Sequence, residues 1–113
     1  MIIDLPMPPS ANNLWGRSKQ GVVYTKPHYA KWQKLCQGYC LAAGWHKTPI
    51  KGPYTAEITL DSNYHRGDLD NRVKAVLDIL VKMGVTDDDS LCAKPSSRWG
   101  YAPLGCRVRI EKA

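Results

Sequence analysis

The stretch YTAEITLDSNYHRGDLDNRVKAVLDILVKMG, residues 54–84, decides how this chain folds. Its first eight residues alternate Ala56, Ile58 and Leu60 with Thr55, Glu57, Thr59 and Asp61. A period of two sends the apolar set to one side, so residues 54–61 read as a half-buried strand. Residues 62–67 read as a turn. From Asp68 to Met83 the period changes. Leu69, Val73, Val76, Leu77 and Leu80 recur at i, i+4, i+7, i+8 and i+11, which predicts an amphipathic helix stopped by Gly84.

The flanks extend this pattern. Downstream, residues 91–97 read as a strand, 100–105 as a turn and 106–111 as a last strand. In that strand Cys106, Val108 and Ile110 face one way, and Arg107 and Arg109 the other. Upstream, residues 2–5 form a short apolar strand cut off by Pro6, Pro8 and Pro9. Residues 6–21, rich in Pro, Asn, Ser and Gly, read as a loop, followed by a short extended piece at 22–25. Residues 28–43 place Tyr29, Trp32, Leu35, Cys36, Tyr39 and Cys40 at helical spacing, with Lys31 and Lys34 toward the polar side and Gly44 as the stop. The order β, short β, α, β, α, β, β predicts an α+β fold: one mixed sheet with two main helices packed on it, in a single domain over residues 1–113. At this length the core is thin enough that a dimer would help.

Composition is that of an ordinary globular chain, 43% hydrophobic and 23% charged. No apolar run approaches the roughly 18 residues of a membrane span, so no membrane partner is expected. The opening MIIDLP lacks a basic region and reads as a strand rather than a signal peptide, which predicts a cytoplasmic protein. Cys36, Cys40, Cys92 and Cys106 form no C-x-x-C pair and are expected to be free thiols in a reducing compartment.

The net charge of +6 is unevenly spread. Six of the ten acids (Asp68, Asp70, Asp78, Asp87, Asp88 and Asp89) fall within residues 68–89, beside only three bases. The rest of the chain is strongly basic and suits a polyanionic partner. Carboxylates repel phosphate unless a cation lies between them, so the acidic island needs its own explanation.

Asp68 and Asp70 sit at the junction of strand and helix. An N-cap accounts for one of them but not for both. Asp70, Lys74 and Asp78 recur at i, i+4 and i+8, a stripe that reads equally as a solvated salt-bridge ladder. Asp87, Asp88 and Asp89 follow Gly84 at the far end of the helix. They read as a plain acidic turn unless the chain returns toward Asp68 or meets another subunit. Several converging carboxylates best hold a hard divalent cation such as Mg²⁺. A metal-activated water can then attack phosphorus while Lys74 stabilises the developing charge. No Ser/His/Asp arrangement, P-loop or G-x-G-x-x-G motif occurs, so no nucleotide cofactor is expected.

The pattern Asp68-Leu69-Asp70-Asn71-x-x-Lys74-x-x-x-Asp78-x-Leu80-x-x-x-Gly84, followed by Asp88-Asp89, resembles the RusA family of Holliday junction resolvases. The opening Leu5-Pro6-Met7-Pro8-Pro9-Ser10-x-Asn12 resembles that family's N-terminal signature, so the likeness covers nearly the whole chain. It implies a homodimeric, Mg²⁺-dependent endonuclease, with Mn²⁺ as a substitute, that nicks four-way DNA junctions in paired symmetric cuts during recombination and repair. Such proteins are typically encoded by phages or prophages. By the resemblance, Asp68, Asp70 and Asp89 hold the metal, with Asp88 the alternative to Asp89, and Lys74 is needed for catalysis. The third Asp of the 87–89 run and the single base in Arg66-Gly67 depart from the family's pattern.

Candidate DNA contacts are Arg17, Lys19, Lys26, Arg66, Arg72, Lys94, Arg98, Arg107 and Arg109. Trp15 and Trp99 are candidate wedges into an opened junction, though packing in the core or at a dimer interface is the better explanation of each. Two other readings compete: a non-catalytic nucleic-acid-binding module, and a metal-dependent nuclease of other structure specificity.

Overall fold

The computed structural model describes residues 1–10, 15–64 and 69–113. Six strands and two α-helices appear among them: β1 (Ile2–Pro6), β2 (Trp15–Arg17), β3 (Val23–Thr25), α1 (Pro27–Ala43), β4 (Tyr54–Asp61), α2 (Val73–Lys82), β5 (Cys92–Gly100) and β6 (Gly105–Lys112). The main sheet has the order β1-β6-β4-β5. β6 lies antiparallel to both β1 and β4, while β4 and β5 run parallel across the α2 crossover, so the sheet is mixed and the fold is α+β.

Strand alternation builds two unlike faces. Ile3, Leu5, Ala56, Ile58, Leu60, Cys106, Val108 and Ile110 are all fully or almost fully buried. They form one apolar cluster with Tyr29, Trp32, Cys36 and Cys40 of α1 and Ala75, Val76, Ile79 and Leu80 of α2. Both helices therefore cover the same side. Each large aliphatic side chain buried there contributes about 1.5–3 kcal/mol. The Trp32 indole donates to the Pro6 carbonyl at 3.0 Å, pinning α1 over the end of β1. Among the described residues, no α-helix covers the other side of the sheet.

Several boundaries differ from the sequence reading. Residues 6–21 are not all loop: Trp15–Arg17 pairs with Val23–Thr25 in a separate hairpin closed by Gly21 at φ 80°. Regular α-helix starts at Val73 rather than Asp68, after a 3₁₀ turn over Asp70–Arg72. Its N-cap position is Arg72, which makes no side-chain cap. Its buried face is Ala75, Val76, Ile79 and Leu80, with Leu69, Val73 and Leu77 only partly buried at the margin. On α1, Leu35 and Tyr39 are exposed, because the buried stripe follows Tyr29, Trp32, Cys36 and Cys40 alone. β5 runs on to Gly100, held by its parallel pairing with β4 despite its polar residues.

Candidate functional site

The acidic run after α2 is sorted by backbone geometry. Val85 and Thr86 return alongside Ile50, which pairs with Thr86 and whose amide donates to the Val85 carbonyl at 2.8 Å. Asp87 is then taken by Lys51 at 3.2 Å and by the Gly52 amide at 3.4 Å, a clamp onto the segment that enters β4. Asp88 sits at the N-cap of a 3₁₀ turn over Asp89–Leu91 and accepts from the Ser90 amide at 3.0 Å. Asp89 is the first residue of that turn, which packs against α2.

The chain therefore does return to the helix. The electrostatics of Asp89 report its neighbours. Its carboxyl is held above the usual carboxylate range, first by hydrogen bonding with Asp88, then by partial desolvation and the charges of Asp78 and Asp88, with Lys74 pulling the other way. Asp88 moves down, chiefly because the Ser90 amide stabilises its charge and also through its bond with Asp89. Lys74 and Asp78 form an i, i+4 ion pair at 3.6 Å on α2. That stripe, read from sequence as a ladder, is thus the surface beside which Asp89 lies.

The hydroxyls of Tyr54 and Thr86 are buried near each other, with no well-aligned hydrogen bond among the described residues. Burial pushes the Tyr54 phenol up, and the Asp89 and Asp88 charges add to the rise. Nothing in the spacing of the sequence pointed to either residue.

Asp68 and Arg66 lie outside the described residues, as do the side chains of Asp70 and Arg17. Asp70 itself lies in the 3₁₀ turn one turn ahead of Lys74. Among the described residues no group of three His, Cys, Asp or Glu side chains is assembled to hold a metal. The described donors are nonetheless all carboxylate oxygens, and their crowding at Asp88 and Asp89 is what a hard cation relieves. The donor chemistry fits Mg²⁺.

The described basic candidates are spread over several elements, with one group of four on the sheet. Near the start of α2, Arg72 donates to the Pro8 carbonyl and ties the helix to the proline-rich segment, a structural role the sequence did not reveal. Lys19 is exposed in the β2–β3 turn, and Lys26 immediately precedes α1. The remaining four, Lys94, Arg98, Arg107 and Arg109, stand on the helix-free face of the sheet. Trp99 is half-buried and packs against the core.

Two layers, with one face of a mixed sheet under two helices and an acidic turn brought back to the second helix, define an α+β protein with a carboxylate-rich site. A family model described as Endodeoxyribonuclease RusA matches residues 6–111, and the chain belongs to the RusA family of endodeoxyribonucleases. No curated protein gives a significant match to the chain. Among the described residues, no helix is long and apolar enough to cross a membrane.

Proposed function

We propose that this protein is a Mg²⁺-dependent endonuclease that resolves four-way DNA junctions by paired symmetric nicks, acting as a homodimer in recombination and repair. The reading rests on membership of the RusA family together with one observation: of three consecutive aspartates, two are engaged in clamping and capping while Asp89 lies beside the Lys74–Asp78 stripe. Asp68, Asp70 and Asp89 would hold the metal, with Asp88 the alternative to Asp89, and Mn²⁺ would substitute. Bound metal supplies Lewis-acid activation of water and screens the phosphate.

The chain's own residues do the rest. Asp78 holds the Lys74 ammonium in place through their ion pair, leaving a cation beside the carboxylates to stabilise charge on the phosphate and its leaving oxygen. Lys19 offers an exposed positive group for the backbone of the bound arm. Four free cysteines suit the reducing cytoplasm of a bacterial or phage-infected cell.

The test is cleavage of a synthetic four-way junction and of linear duplex, each with and without Mg²⁺. Metal-dependent nicking at opposed sites in the junction, far faster than in the duplex, is the expected result. Junction binding without nicking under any divalent metal would return the protein to the class of non-catalytic binding modules. Equal rates on duplex, flaps and junctions would make it a nuclease of other specificity.

A further inference from the structure

The helix-free face of the sheet carries charge in ordered cross-strand rows. In one row Asp4 of β1, Arg107 of β6, Thr59 of β4 and Arg98 of β5 stand side by side. In the next stand Ile2, Arg109, Glu57 and Ser96. Adjacent strands are about 4.8 Å apart, so Arg98 and Arg107 flank Thr59 at roughly 10 Å between their backbones. Successive outward positions on β6 put Arg109 about 7 Å further along.

These guanidiniums are aimed rather than loose. Arg107 is held in two-point contact with Asp4, at 2.8 Å and 3.2 Å, and its guanidinium lies 6.0 Å from the ring centroid of Tyr101, which is 74% exposed. Arg98 donates from Nε to the Thr59 hydroxyl at 3.3 Å, and Arg109 donates from Nε to Glu111 at 3.2 Å. Their terminal N–H groups make no other hydrogen bond among those the structure shows. Between them lies a cavity of about 150 Å³ lined by Ile2, Glu57, Thr59, Arg98, Arg107 and Arg109. Arg107 and Arg109 each have a carboxylate partner in Asp4 and Glu111, whereas Arg98 is bonded, among the described residues, only to a neutral hydroxyl, and the planar N–H forks of all three match phosphate oxygens. The cavity's apolar lining is a single isoleucine, which argues against a hydrophobic protein partner.

We propose that this cavity is a phosphodiester-binding subsite, and that through it the open face grips a DNA arm distinct from the strand at the acidic site. The inference rests on the proposed junction-cleaving function, because it takes the same DNA as its partner. The acidic site sits on the helix-covered layer and the cavity on the opposite face of the sheet. One protomer then contacts a branched substrate on two sides, which a single linear duplex cannot satisfy at once.

The test compares wild type with Arg98→Ala/Arg109→Ala and with Lys47→Ala, an exposed charge remote from the face. Dissociation constants are measured for a four-way junction and a linear duplex in EDTA over a series of salt concentrations. A thermal melt of each variant confirms folding. The double variant should bind the junction about tenfold more weakly and lose roughly two units from the slope of log affinity against log salt, with a smaller loss on duplex. Lys47→Ala should behave as wild type. Junction affinity and salt slope unchanged in the folded double variant would overturn the subsite while leaving the junction reading intact. Wild-type protein that binds no junction would overturn both. If the double variant fails to fold, Arg98→Gln alone decides, expected to lose about half of the slope change and overturned by none.

Discussion

The two faces of one sheet are written by the same strands, residue by residue, yet they end with opposite characters. On β6, Cys106, Val108 and Ile110 enter the core while Arg107 and Arg109 turn away from it. The covered side gains two helices, and with them a carboxylate cluster whose members crowd one another. The open side gains cations fixed by hydrogen bonds to their neighbours. Strand alternation thus keeps the acidic turn apart from the guanidiniums, whose own partners Asp4 and Glu111 stand beside them on the open face. That separation lets one small domain keep a strongly acidic spot inside an overall charge of +6.

The covered side should give the largest effects. Asp70→Asn and Asp89→Asn should each slow junction nicking by about 10²–10³-fold, with junction binding by gel shift unchanged or tighter because repulsion of phosphate falls. If Asp88→Asn has the large effect and Asp89→Asn the small one, the sorting of the turn is reversed. Next in size is the shared core. Leu80→Ala should cost about 2–5 kcal/mol in urea unfolding, since Leu80 is fully buried. Gly105→Ala should cost about 1–3 kcal/mol. Gly105 sits at φ 121°, and an added Cβ would fall 2.5 Å from the Met7 amide nitrogen. A melt within a degree of wild type would show that the β1–β6 edge gives way easily.

Thiol chemistry sharpens the contrast between buried and open positions. Burial pushes the Cys36 thiol up to about 12, and Cys106 is raised further by burial. A thiol reacts as its thiolate, so at pH 8 in native protein Cys36 and Cys106 should remain unlabelled by a disulfide reagent, reacting only on unfolding. The smallest effect belongs to Asp87→Asn. Its pairing with Lys51 is exposed, and its loss should lower stability by about 1 kcal/mol or less, without changing the rate of nicking.

The sequence carried the middle of the molecule well. Alternation from Thr55 to Asp61 marked β4 to its end, and the arginines of β6 were assigned to the side opposite Cys106, Val108 and Ile110. What it carried poorly were segments held by pairing alone. The β2–β3 hairpin has no clean apolar alternation, and β5 reads Lys-Pro-Ser-Ser-Arg because it is an edge strand with little to bury. The start of α2 was blurred because Leu69 fits the helical spacing although regular helix begins four residues later. At the site, the motif named Asp70, Lys74 and the 87–89 run. Three identical acids in a row, however, differ only in which amide or lysine each meets, and that is decided by the return of the chain past Ile50. Tyr54 and Thr86 were invisible for the same reason, since they matter through what lies near them.

The pairing of β1 with β6 joins residues more than a hundred positions apart: Asp4 meets Arg107, and the Met1 ammonium reaches the Ile110 carbonyl at 3.0 Å. During synthesis β6 must leave the ribosome before β1 has a partner, and β6 also lies between β1 and β4 in the sheet. The nascent chain therefore holds the hydrogen-bonding edge of β1 unpaired until β6 arrives, and closure of the whole sheet waits on one late, long-range event. Folding should be slow for a chain of this size, with the N-terminal strand the segment in greatest need of protection by a chaperone.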